Sequence, residues 1–113
     1  MSARRGELWW VNFDPVEGHE QAGRRPALVL RVDAFNASGA ELVTVLPVTT
    51  RERSAIPSRI EIGPPEGGLK GTSYILAEQP RTISTSRLAR RMGMVTPATM
   101  VKVADVVRML LGL

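Results

Sequence analysis

Cysteine is absent from the 113-residue chain, and histidine occurs once. The lack of cysteine excludes disulfide scaffolds, thiolate metal sites and cysteine nucleophiles. A single histidine, without a paired-carboxylate helix motif, gives no closed set of metal ligands, so neither a metal nor another cofactor is expected. Long apolar runs are also lacking, both as a signal-peptide segment at the start and as a membrane span. These absences predict a small soluble protein of the cytoplasm, and the length fits one domain over residues 1–113.

Acidic residues are scarce in the second half of the chain. Residues 1–56 carry seven basic and seven acidic side chains, whereas residues 57–113 carry eight basic and four acidic ones. No acid occurs between Gln79 and Ala104, while four arginines and one lysine do. This clustering is the charge pattern of a phosphate-binding surface, although a solvated basic face would look the same.

The chain alternates β-forming runs with turns and ends in a helical segment. Pro47, close to the end of the third run, predicts that ladder pairing stops or bulges there. Thr96 is a suitable N-cap with Pro97 at the first helical position, and an apolar stripe follows. Short strands with a terminal helix predict a mainly β (α+β) fold, a small β-barrel or strongly curved sheet flanked by the helix. The predicted strands cover residues 7–14, 26–32, 41–48, 58–62, 72–77 and 81–84.

Functional side chains concentrate where the predicted strands end. The loop over residues 15–25 precedes a buried strand, and two other clusters follow strands three and five. If these edges converge, one groove holds acids or bases, cations and hydroxyl donors, which is a set suited to metal-free phosphoryl transfer on RNA. The candidate residues are His19, Glu20, Gln21, Arg24, Arg25, Thr49, Thr50, Arg51, Glu78, Gln79 and Arg81.

Each candidate also has a plainer interpretation. A lone loop histidine is more often solvated than catalytic, and Glu20 and Glu78 would by default form surface ion pairs worth roughly 0–1 kcal/mol. Thr49 could simply end a strand or cap a turn. Trp9 and Trp10 point to opposite faces of a strand, so one belongs in the core and the other is a base-stacking platform or part of an interface.

Three ordered motifs identify a family that the chain resembles. The first, over residues 5–30, reads RGELWWVNFDPVEGHEQAGRRPALVL. It is followed by LPVTT at residues 46–50 and AEQPRTI at residues 77–83. In order and spacing these match the MazF/PemK family, the toxins of bacterial toxin–antitoxin pairs, and the resemblance spans essentially the whole chain.

The resemblance implies an SH3-like small β-barrel of the CcdB/Kid/MazF type with a C-terminal helix, assembled as a homodimer. It also implies a sequence-specific, ribosome-independent and metal-independent endoribonuclease. The expected substrate is single-stranded RNA, chiefly mRNA, with products carrying 2′,3′-cyclic phosphate and 5′-hydroxyl ends. A cognate MazE/PemI-type antitoxin would thread an acidic tail through the RNA groove, which the basic half of the chain would attract.

Site roles are carried over from the family position by position. Arg25 precedes the motif proline and Thr49 is the first threonine of the strand-end motif; the resemblance assigns both to catalysis. Glu20 matches a loop glutamate that orients the arginine or contacts RNA, and His19 is similar to the histidine of the Kid-like branch. Glu78 takes the place of a base candidate. The flanking residues Gln21, Arg24, Thr50, Arg51, Gln79 and Arg81 are expected to bind RNA.

One position departs from the Kid-like branch, which has an arginine two residues before the acid. This sequence has Leu76 there, so Arg25 or Arg81 would have to supply the cation. Two other classes of function remain open: a CcdB-like toxin directed at gyrase, and a catalytically inactive nucleic-acid-binding module. The Glu-Gln-x-Gly-x-Arg-Pro loop and Thr49 favour the nuclease, because a protein-directed poison needs neither.

Overall fold

Seven antiparallel strands, one α-helix and two short 3₁₀ helices, Glu66–Gly68 and Thr85–Arg87, make up the computed structural model, which describes residues 3–13, 23–33, 41–52 and 56–113. The strands are β1 (Glu7–Asn12), β2 (Arg24–Asp33), β3 (Leu42–Thr49), β4 (Arg59–Ile62), β5 (Ser73–Leu76), β6 (Arg81–Ser84) and β7 (Leu88–Met94), and the helix is α1 (Pro97–Leu110). Their order in the sheet is β4-β5-β3-β2-β1-β7, with β6 also paired to β3. The predicted mainly β fold with a C-terminal helix is confirmed, and among the described strands the sheet is open.

The central strands are buried on both faces, as the apolar run of β2 predicts. Leu28 belongs to one hydrophobic core, while its neighbours Ala27 and Val29 belong to another on the opposite face. The first core also takes up α1 through the buried Val103 and Val107. The second core contains Trp9, Val11, Phe13, Val43, Val45, Ile83 and Leu88.

Two strands share one edge of β3, with a break between them. β6 pairs with β3 from Leu42 to Val45, and β5 pairs with it at Val48 and Thr49. The ladder on this edge is therefore interrupted at Leu46 and Pro47, where the proline predicts it, although Pro47 still pairs with β2 on the other edge. The chain between β5 and β6 leaves the sheet at this break.

The helix begins as predicted but packs over only part of its length. The Thr99 N–H donates to the Thr96 side chain at 3.2 Å, which makes Thr96 the N-cap. Toward the C-terminal end of the stripe, Leu110 and Leu111 are 47% and 60% exposed. The last turn of the helix thus presents an apolar surface to solvent.

One strand is absent from the sequence-based prediction. Residues 88–94, with two consecutive arginines, form β7, which pairs with β1 through Glu7↔Met94, Trp9↔Arg91 and Trp10↔Arg90. The arginines predict only a basic surface, because charged residues are poor indicators of a strand. β7 pairs with β1 along one edge, and the side chains of Arg90 and Arg91 are exposed to solvent. The segment is therefore a strand and a basic surface at once.

Candidate active site at the strand ends

The β2–β3 register brings Arg25 and Thr49 to the same end of the strand pair. Ala27 lies opposite Pro47 in this antiparallel pair. Arg25 comes two residues before Ala27, and Thr49 comes two residues after Pro47. Since side chains alternate with a period of two, both residues fall on the face of Ala27 and Pro47. The pairing of Arg25 with Val11, a residue of the second core, places the arginine on that same face.

Thr49 is 6% exposed, and its hydroxyl is oriented by the backbone. The Arg51 N–H donates to Thr49 Oγ1 at 3.2 Å, so the side chain does cap the turn after β3. A hydroxyl that accepts a hydrogen bond keeps its own O–H to donate. The structural and the catalytic interpretations of Thr49 are therefore compatible. Its β5 neighbour is Tyr74, whose pKa is raised by burial and by Glu52 and Glu61.

Glu78 follows β5 and is tied to the start of β4. Its Oε2 accepts from Arg59 Nε at 3.2 Å and lies 3.1 Å from Arg59 Nη2, while Ser58 Oγ donates to Oε1 at 3.2 Å. Arg59 pairs with Leu76 in the β4–β5 ladder. The cation that pairs with Glu78 is therefore Arg59 of β4. It lies opposite Leu76, the position at which the Kid-like branch has its arginine.

Arg81 lies at the first position of β6, on the same side of the sheet as Arg25. It pairs with Val45, a residue of the second core, and its guanidinium carbon is 5.0 Å from the centroid of the Phe13 ring. Such an arrangement is a cation–π contact. Phe13 is also tied to the residue before β2, because its N–H donates to the Gly23 carbonyl at 2.9 Å.

The remaining candidates divide into three groups. Arg24, Thr50 and Arg51 are exposed at the ends of β2 and β3. Gln79 is half-buried, and its backbone N–H donates to the Leu76 carbonyl at 3.1 Å in the excursion between β5 and β6. The loop residues His19, Glu20 and Gln21 lie outside the described residues. The described part of the site is therefore a cationic strand-end surface with a buried hydroxyl.

A buried carboxylate on β1 holds the side chain of Arg91. Glu7, 4% exposed, accepts from the Arg4 N–H at 2.6 Å, from Trp9 Nε1 at 3.2 Å and from Arg91 Nε. Burial by itself raises the pKa of Glu7, but the hydrogen bonds from Arg91, Arg4 and Trp9 outweigh it, so the pKa lies below its ordinary value of 4.5.

Sequence reasoning did not single out Glu7 or Arg59 as parts of the site's framework. Arg59 could have been found by pairing the two strands that flank the turn at residues 63–68, because the antiparallel register sets it against Leu76. Within the four described ranges, no group of three or more acidic or histidine side chains is placed to hold a metal ion. No described helix is long and apolar enough to cross a membrane.

The fold and the strand-end surface define a small, mainly β protein with arginines and a buried hydroxyl at one end of its sheet. The chain belongs to the PemK-like, MazF-like toxins of type II toxin–antitoxin systems, a family matched over residues 4–111.

Curated and solved relatives agree with this membership. The endoribonuclease MazF9 of Mycobacterium tuberculosis is 35% identical over 114 aligned positions, which cover 97% of each chain. A crystal structure of MazF from Deinococcus radiodurans superposes with a TM-score of 0.83 at 34% identity, covering 98% of this chain and 97% of that one. An endoribonuclease solved in complex with its cognate antitoxin, from a mycobacterial species, gives a TM-score of 0.77 at 29% identity, covering 99% and 97%.

Proposed function

We propose that this chain is the toxin of a type II toxin–antitoxin pair and a metal-independent endoribonuclease that cleaves single-stranded RNA. The observation that carries the proposal is the common position of Arg25 and Thr49 at one end of the β2–β3 pair, beside Arg81. The family match over residues 4–111 and the endoribonuclease names of the relatives support it. The proposed substrate is RNA of the cytoplasm, chiefly mRNA. The whole chain is proposed to act as one functional domain.

The proposed reaction uses a hydroxyl that RNA itself supplies. The 2′-oxygen attacks the adjacent phosphorus, a base removes its proton, and the bond to the 5′-oxygen breaks as that oxygen receives a proton. The products are a 2′,3′-cyclic phosphate and a 5′-hydroxyl. Arg25 stabilises the charge that develops on the phosphorane oxygens, and Thr49 donates its hydroxyl hydrogen to the scissile phosphate.

Proton transfer has several candidates in this proposal. Glu78 is held in place by Arg59 through contacts of 3.1 and 3.2 Å, which makes it a positioned candidate for the base. Glu20 and His19 remain proposed partners from the loop, with Arg25 as a further proton donor. Gln21, Arg24, Thr50, Arg51, Gln79 and Arg81 are proposed to bind the RNA on either side of the cut.

Cleavage in EDTA tests the proposal. Purified protein is incubated with a long single-stranded RNA, and the cut positions and end groups are mapped. We expect discrete cuts with cyclic-phosphate ends, reduced roughly 100- to 1000-fold by Arg25→Ala, which is the size of effect for losing one donor to transition-state charge. Thr49→Val should also reduce the rate, whereas the control Arg108→Ala, on the exposed face of α1, should leave it unchanged.

Two outcomes would contradict the proposal. A folded wild type that cuts none of several RNAs would favour a gyrase-directed toxin or an inactive binding module. A folded Arg25→Ala variant with full activity would remove the arginine from the mechanism.

The assembly of the toxin is also part of this proposal. Exposed apolar side chains on α1, with Val101 at 63%, Met109 at 70% and Leu110 at 47% exposure, support a homodimer that covers them. A groove of about 720 Å³ between β2 and α1 is lined by Arg5, Arg31 and Arg108 together with apolar residues, and it suits an acidic antitoxin segment. A sedimentation mass of one chain at all concentrations would contradict the dimer.

A further inference from the structure

A second groove, of about 450 Å³, lies beside the candidate active site on the other face of the sheet. Pro26 lines it, and the next residue back along β2 is Arg25; Thr50 lines it, and the preceding residue on β3 is Thr49. Because adjacent residues of a strand point to opposite faces, the groove and the active site are back to back across the same strand ends. A flexible ligand that passes over this edge would contact both.

The lining of the groove combines one aromatic ring with three cations. Trp10 is half-buried, Arg90 lies opposite it in the β1–β7 ladder, and Lys70 and Arg91 also line the groove. No acidic side chain is among the described residues that line the groove. The structure thereby decides the question left open by the two tryptophans: Trp9 lies in the core at 5% exposure, and Trp10 faces a basic surface.

The walls of this groove are fixed by close packing. An ideal Cβ on Gly68 would lie 2.3 Å from the Met92 carbonyl oxygen, and one on Gly93 would lie 2.6 Å from the Gly67 carbonyl carbon. The turn that carries Gly68 to Gly71 is therefore held directly against β7. Arg91 is fixed by the hydrogen bond from its Nε to the buried Glu7. This contact uses one of the five N–H donors of the guanidinium.

We propose that this groove is a nucleotide subsite for the RNA substrate, in which a base stacks on Trp10 and Arg90 and Lys70 bind the adjoining phosphates. The inference rests on the proposed function and extends it to nucleotides on one side of the cut. A base has an apolar face that matches an indole, and its phosphates match the cations, which is the combination used for single strands. An acidic peptide would match the cations alone, so the aromatic face favours RNA.

Binding to a 2′-fluoro RNA oligonucleotide tests the subsite independently of cleavage, since this RNA lacks the attacking hydroxyl. Trp10→Leu should weaken binding about 5- to 150-fold, the effect of losing one stacked base, whereas Trp10→Phe should keep most of the affinity. Arg90→Gln and Lys70→Gln should each lower the slope of log K against log salt by about 0.7. The matched control Lys102→Gln removes a charge from an exposed position of α1 and should not change that slope.

Kinetics with cleavable RNA separate this role from a structural one. The Arg90→Gln and Lys70→Gln variants should raise KM and leave kcat nearly unchanged, because their contacts lie away from the scissile phosphate. Both side chains are exposed, so these variants keep the fold even if Trp10→Leu does not.

The possible results distinguish the two proposals. Wild-type protein that binds the oligonucleotide through Trp10 but cuts no RNA would overturn the nuclease and leave the subsite standing. Active wild type with unchanged affinity, salt slope and KM in the Trp10, Arg90 and Lys70 variants would overturn the subsite. Binding of a polyglutamate peptide, but not RNA, with the same dependence on Trp10 would also overturn it.

Discussion

Replacing Glu7 by glutamine should destabilise the fold by about 2–4 kcal/mol at neutral pH. The variant keeps the shape of the side chain but removes the charge that accepts hydrogen bonds from Arg4, Trp9 and Arg91. Glu7 is 4% exposed, so the lost interactions are replaced by little water.

The magnitude follows from the unequal burial of the ion pair. A hydrogen bond to a charged group contributes about 1.5–3 kcal/mol, and breaking a fully buried ion pair costs about 3–5 kcal/mol. The Arg91 side chain is 51% exposed against 6% for Glu7, so the arginine regains solvent when its partner is neutral. Because of this recovery, the expected loss of unfolding free energy lies between these two ranges, at about 2–4 kcal/mol. For a domain of this size it corresponds to a fall in Tm of roughly 10 °C.

The pH dependence gives an independent check on the same residue. The pKa of Glu7 is lower in the folded chain than its ordinary value of 4.5, so the unfolded chain takes up the proton first as the pH falls. The stabilisation is therefore complete well above pH 4.5 and is lost as the pH falls through and below that value. The difference in unfolding free energy between wild type and Glu7→Gln should shrink over this acidic range.

Urea unfolding at fixed protein concentration, from pH 7 downward, measures both effects. Asp105→Asn is the control, because Asp105 forms an exposed ion pair with Arg108 on α1 and should cost no more than about 1 kcal/mol. Equal losses for the two variants at pH 7, or a Glu7→Gln loss that does not change with pH, would refute the reasoning.

Three further predictions concern packing, capping and the ion pair beside the candidate active site. Gly93→Ala should cost about 1–3 kcal/mol, since its Cβ would meet Gly67 at 2.6 Å, whereas Gly71→Ala, with open space around it, should be nearly neutral; a matched pair of thermal melts compares them. Thr96→Ala should cost about 1 kcal/mol through loss of the N-cap, and an unchanged urea midpoint would contradict this. Arg59→Gln should lower kcat if Glu78 is the base, because the carboxylate loses the side chain that holds it at 3.1 Å; an unchanged kcat would exclude this positioning role for Arg59.

Local patterns predicted the strands and the helix cap but not the way that strands share edges. The β-forming runs and Thr96-Pro97 depend on residues near one another in sequence, and they were found. β7 was missed because its arginines carry no β signal; its place is set by the edge of β1 and by the contact between Arg91 and Glu7, which are 84 residues apart. Pairings of this kind depend on tertiary structure.

The candidate site shows the same division. Arg25 and Thr49 were placed together by motif, and the β2–β3 register accounts for their proximity. The residue that pairs with Glu78 was not anticipated, because the search for a cation stayed within the motifs and Arg59 lies in a strand of its own. An ion pair across strands can be predicted from one sequence only after the strands have been paired, and here that step was possible for β4 and β5 but was not taken.

The break in the ladder along β3 has a consequence for insertions and deletions in this region. The pairs Val45↔Arg81 and Val48↔Ile75 are three residues apart along β3. On the opposite side, from β5 to β6, they are six residues apart, so this segment has three residues more than β3 needs. Glu78 and Gln79 are part of this fixed surplus. Removing one residue from the excursion would force β5 or β6 to slip by one position and turn its side chains to the opposite face. Length at residues 77–80 is therefore constrained like the length of a strand, although the segment itself has the form of a loop.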